Sequence, residues 1–107
     1  MNVFRTHFFD KAVRKLAVSE VDLAALEQAI VADPETGDVI PGLGGARKIR
    51  FAMAGRGKRG GGRAIYVAVW VRDTAYLLFA YAKAHQADMT PAQRRMIGDA
   101  IEELTNE

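Results

Sequence analysis

The chain has 107 residues, half of them apolar, a net charge of +2 and no cysteine. This length predicts a single domain, 1–107, with one hydrophobic core, and the composition excludes a disordered chain, a disulfide scaffold and a thiolate metal site. No apolar run is long enough to cross a bilayer, so we expect no membrane partner, and the absence of cysteine fits the reducing cytoplasm.

The first third of the chain predicts a short strand followed by two helices. Residues 2–6 are a candidate edge strand, and Thr6 is a helix N-cap that precedes apolar residues at helical spacing. Ser19 caps a second helix, which Pro34 and Gly37 end. Two helices with so short a connection predict an αα-hairpin.

The next element is a strand over residues 46–53, after a loop at 38–45. Alternation along this strand separates two sets of side chains. The apolar set is Ile49, Phe51 and Met53, and Lys48 and Arg50 lie on the opposite face. We therefore expect the apolar side to be buried and the two cations to share the other side of a sheet.

Two more strands and a helix complete the predicted order. Residues 63–71 and 75–83 are rich in β-branched and aromatic residues, and the turn at 72–74 predicts a hairpin. Thr90 followed by Pro91 begins a helix that runs to about Leu104. The fold class is α+β: a short N-terminal strand and a two-helix hairpin packed on one face of an antiparallel sheet, with a C-terminal helix.

Positive charge is concentrated in the middle of the chain. Between Val39 and Arg72 there is no acidic residue, but there are eight basic ones and eight of the ten glycines. Like charges at this density repel one another unless a polyanion binds, and glycine lets a phosphate approach the backbone closely. We expect this region to bind a polyanion, for which RNA is the candidate, with contacts from Arg47, Arg56 and Arg59.

Aromatic and histidine residues could add to such a surface. Tyr66 and Tyr81 are either core residues or stack on RNA bases from the open sheet face. His85 is either a solvated loop residue or an acid/base group that also contacts RNA, because an imidazole can change its charge near neutral pH. His7 and His85 are the only histidines, and neither has a carboxylate pair at ligand spacing, so we expect no metal site and no cofactor.

A glycine motif in the same region matches a nucleotide-binding pattern only formally. Gly55, Gly57 and Gly60 have the spacing of the dinucleotide fingerprint. That fingerprint needs a following helix, whose N-terminus meets the pyrophosphate, and here a β-branched run follows instead. A dinucleotide site is therefore not expected.

Three segments together resemble the RelE/HigB-type toxins of bacterial toxin–antitoxin modules. They are GGARKIRFA at 44–52, GRGKRGGGRAIY at 55–66 and YLLFAYAK at 76–83. The resemblance covers nearly the whole chain and implies a RelE-like fold. It also implies a ribonuclease that enters the ribosomal A site and cuts mRNA, and a cognate antitoxin, usually with a helix-turn-helix DNA-binding part.

The resemblance also implies site residues. Lys48 and Arg50 match basic positions of the family's central strand, and Lys58 matches the lysine of its glycine-rich loop. Arg63 matches the arginine that stabilises phosphate, and Lys83 matches the basic residue that ends the last strand. Two positions depart from the pattern: Gly62 replaces an aromatic residue, and Ala84-His85 replaces an Asn-Glu pair.

RNA can be cut without a metal ion because its own 2′-hydroxyl attacks the adjacent phosphate. Arg63 is the first candidate for holding that phosphate, since a guanidinium fork matches two phosphate oxygens. Lys58 and Lys83 could stabilise charge or transfer protons. The alternative is a non-catalytic RNA- or ribosome-binding module, or a relative that acts on another target such as gyrase. The face of the Arg63 strand that carries the site stays open, because that strand is apolar on both sides.

Overall fold

The structure is a computed structural model, and it describes residues 1–53 and 61–105. The chain begins with strand β1 (Asn2–Arg5) and helices α1 (His7–Lys15) and α2 (Glu20–Ala32). Strands β2 (Asp38–Val39), β3 (Arg47–Phe51), β4 (Gly62–Val69) and β5 (Thr74–Ala82) follow, and helix α3 (Pro91–Thr105) closes the fold. Within these residues no helix is long and apolar enough to span a bilayer.

The predicted helix starts are confirmed at the level of single hydrogen bonds. The Thr6 hydroxyl accepts from the Phe9 N–H (3.3 Å), and the Ser19 hydroxyl accepts from the Asp22 N–H (3.1 Å). At α3, the Thr90 hydroxyl accepts from the Gln93 N–H (3.1 Å). The Gln93 side chain accepts in return from the Thr90 N–H (2.9 Å), which completes a capping box.

The strands form one five-stranded sheet in the order β1-β5-β4-β3-β2. The predicted β4–β5 hairpin and the antiparallel pairing of β3 with β4 are confirmed. β1 does lie at an edge, but it pairs with β5 in parallel, so the sheet is mixed rather than wholly antiparallel. The loop predicted at 38–45 contains the two-residue strand β2, which pairs with β3.

The first sheet face lies under α1 and α2. Its core contains Phe9 and Val13 of α1, three residues of α2 and the apolar side of β3, ending at Phe51 and Met53. The residues from α2 are Leu23, Leu26 and Ile30. This is the burial that the alternation in residues 46–53 predicts.

The second sheet face is also covered over part of its area, which corrects the prediction of helices on one face only. Ile97 and Ile101 of α3 pack on Ile65 and Leu78 of the sheet. The loop before β3 adds Leu43, and a Cβ at Gly44 (φ +59°) would lie 2.8 Å from the Ile101 side chain. Lys48 and Arg50 of β3 and Arg63 of β4 therefore project to the face that α3 partly covers, not to a bare sheet.

The strand predicted at 63–71 is shorter than expected. β4 ends at Val69, and Trp70–Arg72 form a single 3₁₀ turn. Asp73 then takes a left-handed conformation (φ 49°), which lets the chain reverse into β5. Trp70 is consequently an exposed turn residue and not part of the core.

Candidate functional site

One row of side chains crosses three strands on the α3 side of the sheet. Arg50 of β3 lies opposite Arg63 of β4, and Arg63 lies opposite Tyr81 of β5. Lys48 belongs to the adjacent row, opposite Ile65. Directly opposed residues project to the same face of a sheet. We call the surface formed by Lys48, Arg50, Arg63 and Tyr81 the cationic face.

Arg63 is the most enclosed charge of the cationic face. Only 6 % of its surface is exposed, and its Nη1 donates to the Gly62 carbonyl (3.1 Å). A buried guanidinium is stable only where hydrogen bonds and opposite charges replace its hydration. Arg63 is therefore held by contacts within the protein, while Arg50 beside it is exposed. The pairing shows that Arg63 projects to the side of β4 that it shares with Arg50.

Tyr81 brings a hydroxyl group to the same row. Its side chain is 3 % exposed, and its hydroxyl has no hydrogen-bond partner within normal geometry among the described residues. Burial raises the pKa of Tyr81, the Asp88 carboxylate nearby raises it further, and the Arg63 guanidinium acts in the opposite direction. The hydroxyl therefore stays protonated around neutral pH and can donate a hydrogen bond.

A carboxylate that the sequence analysis did not select borders the cationic face. Asp88 Oδ1 lies 3.6 Å from Lys48 Nζ. The same oxygen accepts from the Met89 N–H (2.8 Å), and this bond, with the charges of Lys48 and Arg94, lowers the pKa of Asp88 despite some burial. No sequence signal marks this residue, because Lys48 and Asp88 are far apart in the chain and meet only through the packing of β3 against β4 and β5.

Lys83 and His85 follow β5. Both side chains are exposed. The backbone N–H of Lys83 donates to the Gly61 carbonyl (3.1 Å), which continues the pairing of the two strands by one residue and holds Lys83 at the end of the sheet. His85 lines a cavity of about 510 Å³ between β5 and the helices α1 and α3, and Tyr81 lines the same cavity. The structure thus places Lys83 just beyond the β5 end of the cationic face, and His85 shares a cavity with one member of that face.

Two predicted RNA contacts are engaged elsewhere in the fold. Arg47 donates to the carbonyls of Glu35 (3.1 Å) and Gly37 (2.8 Å) and pairs with the Glu35 carboxylate (3.3 Å). Tyr66 is fully buried, so the alternative of base stacking is wrong for this residue and the core alternative is confirmed. Arg47 neighbours Tyr66 across the strands and belongs to the opposite face from Lys48, as strict alternation requires.

Arg56, Lys58 and Arg59 lie outside the described residues, so their predicted roles stay predictions. The segment that carries these three residues connects β3 to β4. β3 ends at Phe51, and β4 begins at Gly62, one residue before Arg63.

A small α+β domain with a mixed sheet and a cationic row on one side belongs to a recognised class of fold. E. coli toxin RelE, solved as a double arginine-to-alanine mutant in the free state, superposes with a TM-score of 0.55 at 10 % sequence identity. The match covers 80 % of this chain and 86 % of that one, and at this identity it shows the fold alone.

The family is shown by a separate comparison. The family model described as the RelE toxin of the RelE/RelB toxin–antitoxin system matches residues 1–106. The chain therefore belongs to the RelE toxin family, as the three sequence segments predicted. It is a toxin of a toxin–antitoxin system, and membership of this family implies a cognate antitoxin as its partner.

Proposed function

We propose that this toxin is a ribosome-dependent endoribonuclease that cuts mRNA and so stops translation. The observation that carries the proposal is the row of Arg50, Arg63 and Tyr81, with Lys48 beside it, on one side of a RelE-type sheet. Three cations and one hydroxyl on a single surface match the needs of a reaction at a phosphodiester.

The reaction needs alignment and charge stabilisation more than it needs a strong reagent. The 2′-hydroxyl attacks the neighbouring phosphorus, the 5′-oxygen leaves, and two negative charges develop on the phosphorane. The Arg63 fork would hold two of its oxygens, because its planar donors match that geometry. Arg50 and Lys48 would add positive charge from β3, so the chemistry requires no metal ion.

Proton transfer is the second requirement. Tyr81 stays protonated at neutral pH because burial raises its pKa, so it would donate a hydrogen bond to a phosphate oxygen and would not act as a base. Lys83, at the end of β5, and Lys58, outside the described residues, are the proposed groups for moving protons or stabilising charge. The proposed RNA contacts are Arg56, Arg59 and the exposed Arg50.

The proposed setting follows from the same reaction. The toxin acts in the cytoplasm, where ribosomes and mRNA are found. Its antitoxin neutralises it, and we propose that this antitoxin carries a helix-turn-helix DNA-binding part. The ribosome would supply the alignment of the mRNA.

A translating extract with one defined mRNA tests the proposal. Cuts are mapped by primer extension for the wild type, Arg63→Ala and Arg63→Lys, each with and without ribosomes. We expect cuts in frame that need ribosomes, and a rate that falls on the order of 10²–10³-fold in both variants, since lysine lacks the fork.

The matched control is Arg95→Ala, which removes an exposed arginine of α3 away from the row and should cut at the wild-type rate. Circular dichroism establishes that Arg63→Lys is folded. Wild-type cleavage by a folded Arg63→Lys would refute the role of the fork. Arrest of translation without any cut would mean that the toxin binds the ribosome or acts on another target.

A further inference from the structure

One carboxylate occupies the cationic face at its Lys48 end. The Asp88 carboxylate lies 3.6 Å from the Lys48 ammonium. Its charge raises the pKa of Tyr81, and the charge of Arg94 lowers the pKa of Asp88 itself. A phosphate that approached Lys48 would meet this negative charge first. A repulsive group inside a binding surface weakens every anion that fails to displace it.

The loop after β5 holds Asp88 in this position. The Gln86 side chain donates to the Asp88 carbonyl (2.8 Å) and to the Gln93 side chain (2.8 Å), which ties the loop to the first turn of α3. The Met89 N–H then fixes the carboxylate itself at 2.8 Å. These hydrogen bonds therefore hold the negative charge of Asp88 in a defined position beside Lys48.

The ion pair is also easy to exchange. The Asp88 side chain is 64 % exposed and the Lys48 side chain 33 % exposed. Ion pairs in such solvated positions are weak and are screened by salt. An RNA strand carries several phosphates and can therefore contact Lys48, Arg50 and Arg63 together, so it can replace Asp88 as the partner of Lys48.

We propose that Asp88 is a built-in counter-anion of the cationic face: its carboxylate pairs with Lys48 in the free toxin and gives way to an RNA phosphate when RNA binds. This inference rests on the proposed function, because it takes RNA as the anion that binds. Its consequence is selectivity. The negative charge of Asp88 lowers the affinity for isolated phosphates. Only RNA that contacts several cations together gains enough binding energy to displace Asp88 from Lys48.

Salt titration of RNA binding tests this proposal without any cleavage. The probe is a fluorescein-labelled 2′-O-methyl RNA 12-mer, which lacks the attacking hydroxyl, and fluorescence anisotropy gives Kd between 50 and 300 mM KCl. In Asp88→Asn the Met89 N–H keeps an acceptor and the negative charge is removed. We expect binding about 3- to 10-fold tighter at the lowest salt, and a steeper salt slope because the gain shrinks as salt screens the repulsion that the carboxylate exerts.

The matched control is Asp99→Asn, which removes the same charge from an exposed position on α3. It should bind like the wild type, because a change in total charge alone is screened at these salt concentrations. Asp88→Ser gives a second, smaller neutral variant if Asp88→Asn is poorly folded. In a Lys48→Gln background the Asp88→Asn change should produce a smaller gain, because the competition for Lys48 is gone and only the repulsion by the carboxylate remains.

Three results would overturn the inference. Equal affinity and slope for Asp88→Asn and Asp99→Asn would show that the carboxylate does not compete with RNA. Absence of RNA binding by Asp88→Asn would do the same. Unchanged affinity with cleavage in the translating extract slowed more than about 10²-fold would make Asp88 an acid–base group instead. If no variant cleaves mRNA but the affinities follow the expected order, the nuclease proposal fails and the counter-anion stands.

Discussion

Tyr66 joins the centre of the sheet to the turn after α2 through one buried hydroxyl. That hydroxyl donates to the Pro34 carbonyl (2.8 Å) and accepts from the Gly37 N–H (3.0 Å). Tyr66→Phe leaves both groups without this partner, so we expect a loss of about 1–3 kcal/mol in the free energy of unfolding. Urea denaturation followed by circular dichroism measures it.

Tyr76→Phe is the control for this prediction. Tyr76 is only half-buried, and its hydroxyl accepts from the exposed Arg72 guanidinium at 3.4 Å, a long bond that water can replace. Its removal should change stability by less than about 0.5 kcal/mol. If both variants unfold at the same urea concentration as the wild type, the Tyr66 hydroxyl does not support the turn.

Gly62 is a packing requirement at the start of β4. A Cβ added there would overlap the Phe51 ring and come within 2.9 Å of the Met53 sulfur. Gly62→Ala must therefore push Phe51 out of the first core, and we expect it to cost about 1–3 kcal/mol by thermal or urea unfolding. This also accounts for the absence of an aromatic residue before Arg63, since Phe51 already fills that space.

Gly98→Ala is the opposite case and serves as the control. Gly98 lies inside α3, and a Cβ there would make an ordinary contact with Leu43 at 3.5 Å. Alanine should stabilise the helix by about 0.5–1 kcal/mol. A Gly62→Ala protein as stable as the wild type would mean that Phe51 has room to move.

At the scale of elements, Arg5 connects β1 to α2 across the first core. Its guanidinium binds both carboxylate oxygens of Glu27 (2.9 and 3.0 Å) and, at longer distances, both oxygens of Glu20 (3.2 and 3.3 Å). These hydrogen bonds, with Glu27 first, raise the pKa of Arg5, which stays charged at any pH of interest. The shorter and less exposed pair with Glu27 should contribute more than the exposed pair with Glu20.

Glu27→Gln against Glu20→Gln tests that difference. We expect Glu27→Gln to lower the free energy of unfolding by about 1–2 kcal/mol, because one strong bidentate pair is lost. Glu20 is 79 % exposed, and Glu20→Gln should change it by less than about 0.5 kcal/mol. Equal effects of the two substitutions, measured in the same urea titration, would contradict the argument from geometry.

Local signals in the sequence predicted the elements well and their assembly less well. Thr6, Ser19 and Thr90 define helix starts because a cap acts within four residues. β2 was missed because two residues carry no periodicity, and the parallel pairing of β1 depends on contacts remote in sequence.

At the site, alternation placed Lys48 and Arg50 together, and the same rule applied to Arg47 would have assigned it to the other face. Asp88 could not be found, because only the folded chain brings it to Lys48.

At the scale of the whole molecule, the net charge of +2 conceals an uneven distribution. Carboxylates of α2 neutralise Arg5, and Glu35 occupies Arg47, so those cations serve the fold. Arg50 of β3 and Lys83 after β5 are exposed cations beside the Arg63 row, and α1 and α3 carry others away from it. A polyanion should therefore respond to where a lysine or arginine is removed more than to how many are removed.

Two variants of equal charge make this measurable. Arg50→Gln with Lys83→Gln removes two cations beside the Arg63 row, and Lys11→Gln with Lys15→Gln removes two exposed cations from α1. Each neutralised phosphate contact contributes about 0.7 to the slope of log affinity against log salt on single-stranded RNA. We expect the first pair to flatten the slope by about 1.4, and the second pair to leave it unchanged. Equal slopes for the two double variants would mean that total charge alone governs binding. RNA would then not bind specifically at the cationic face.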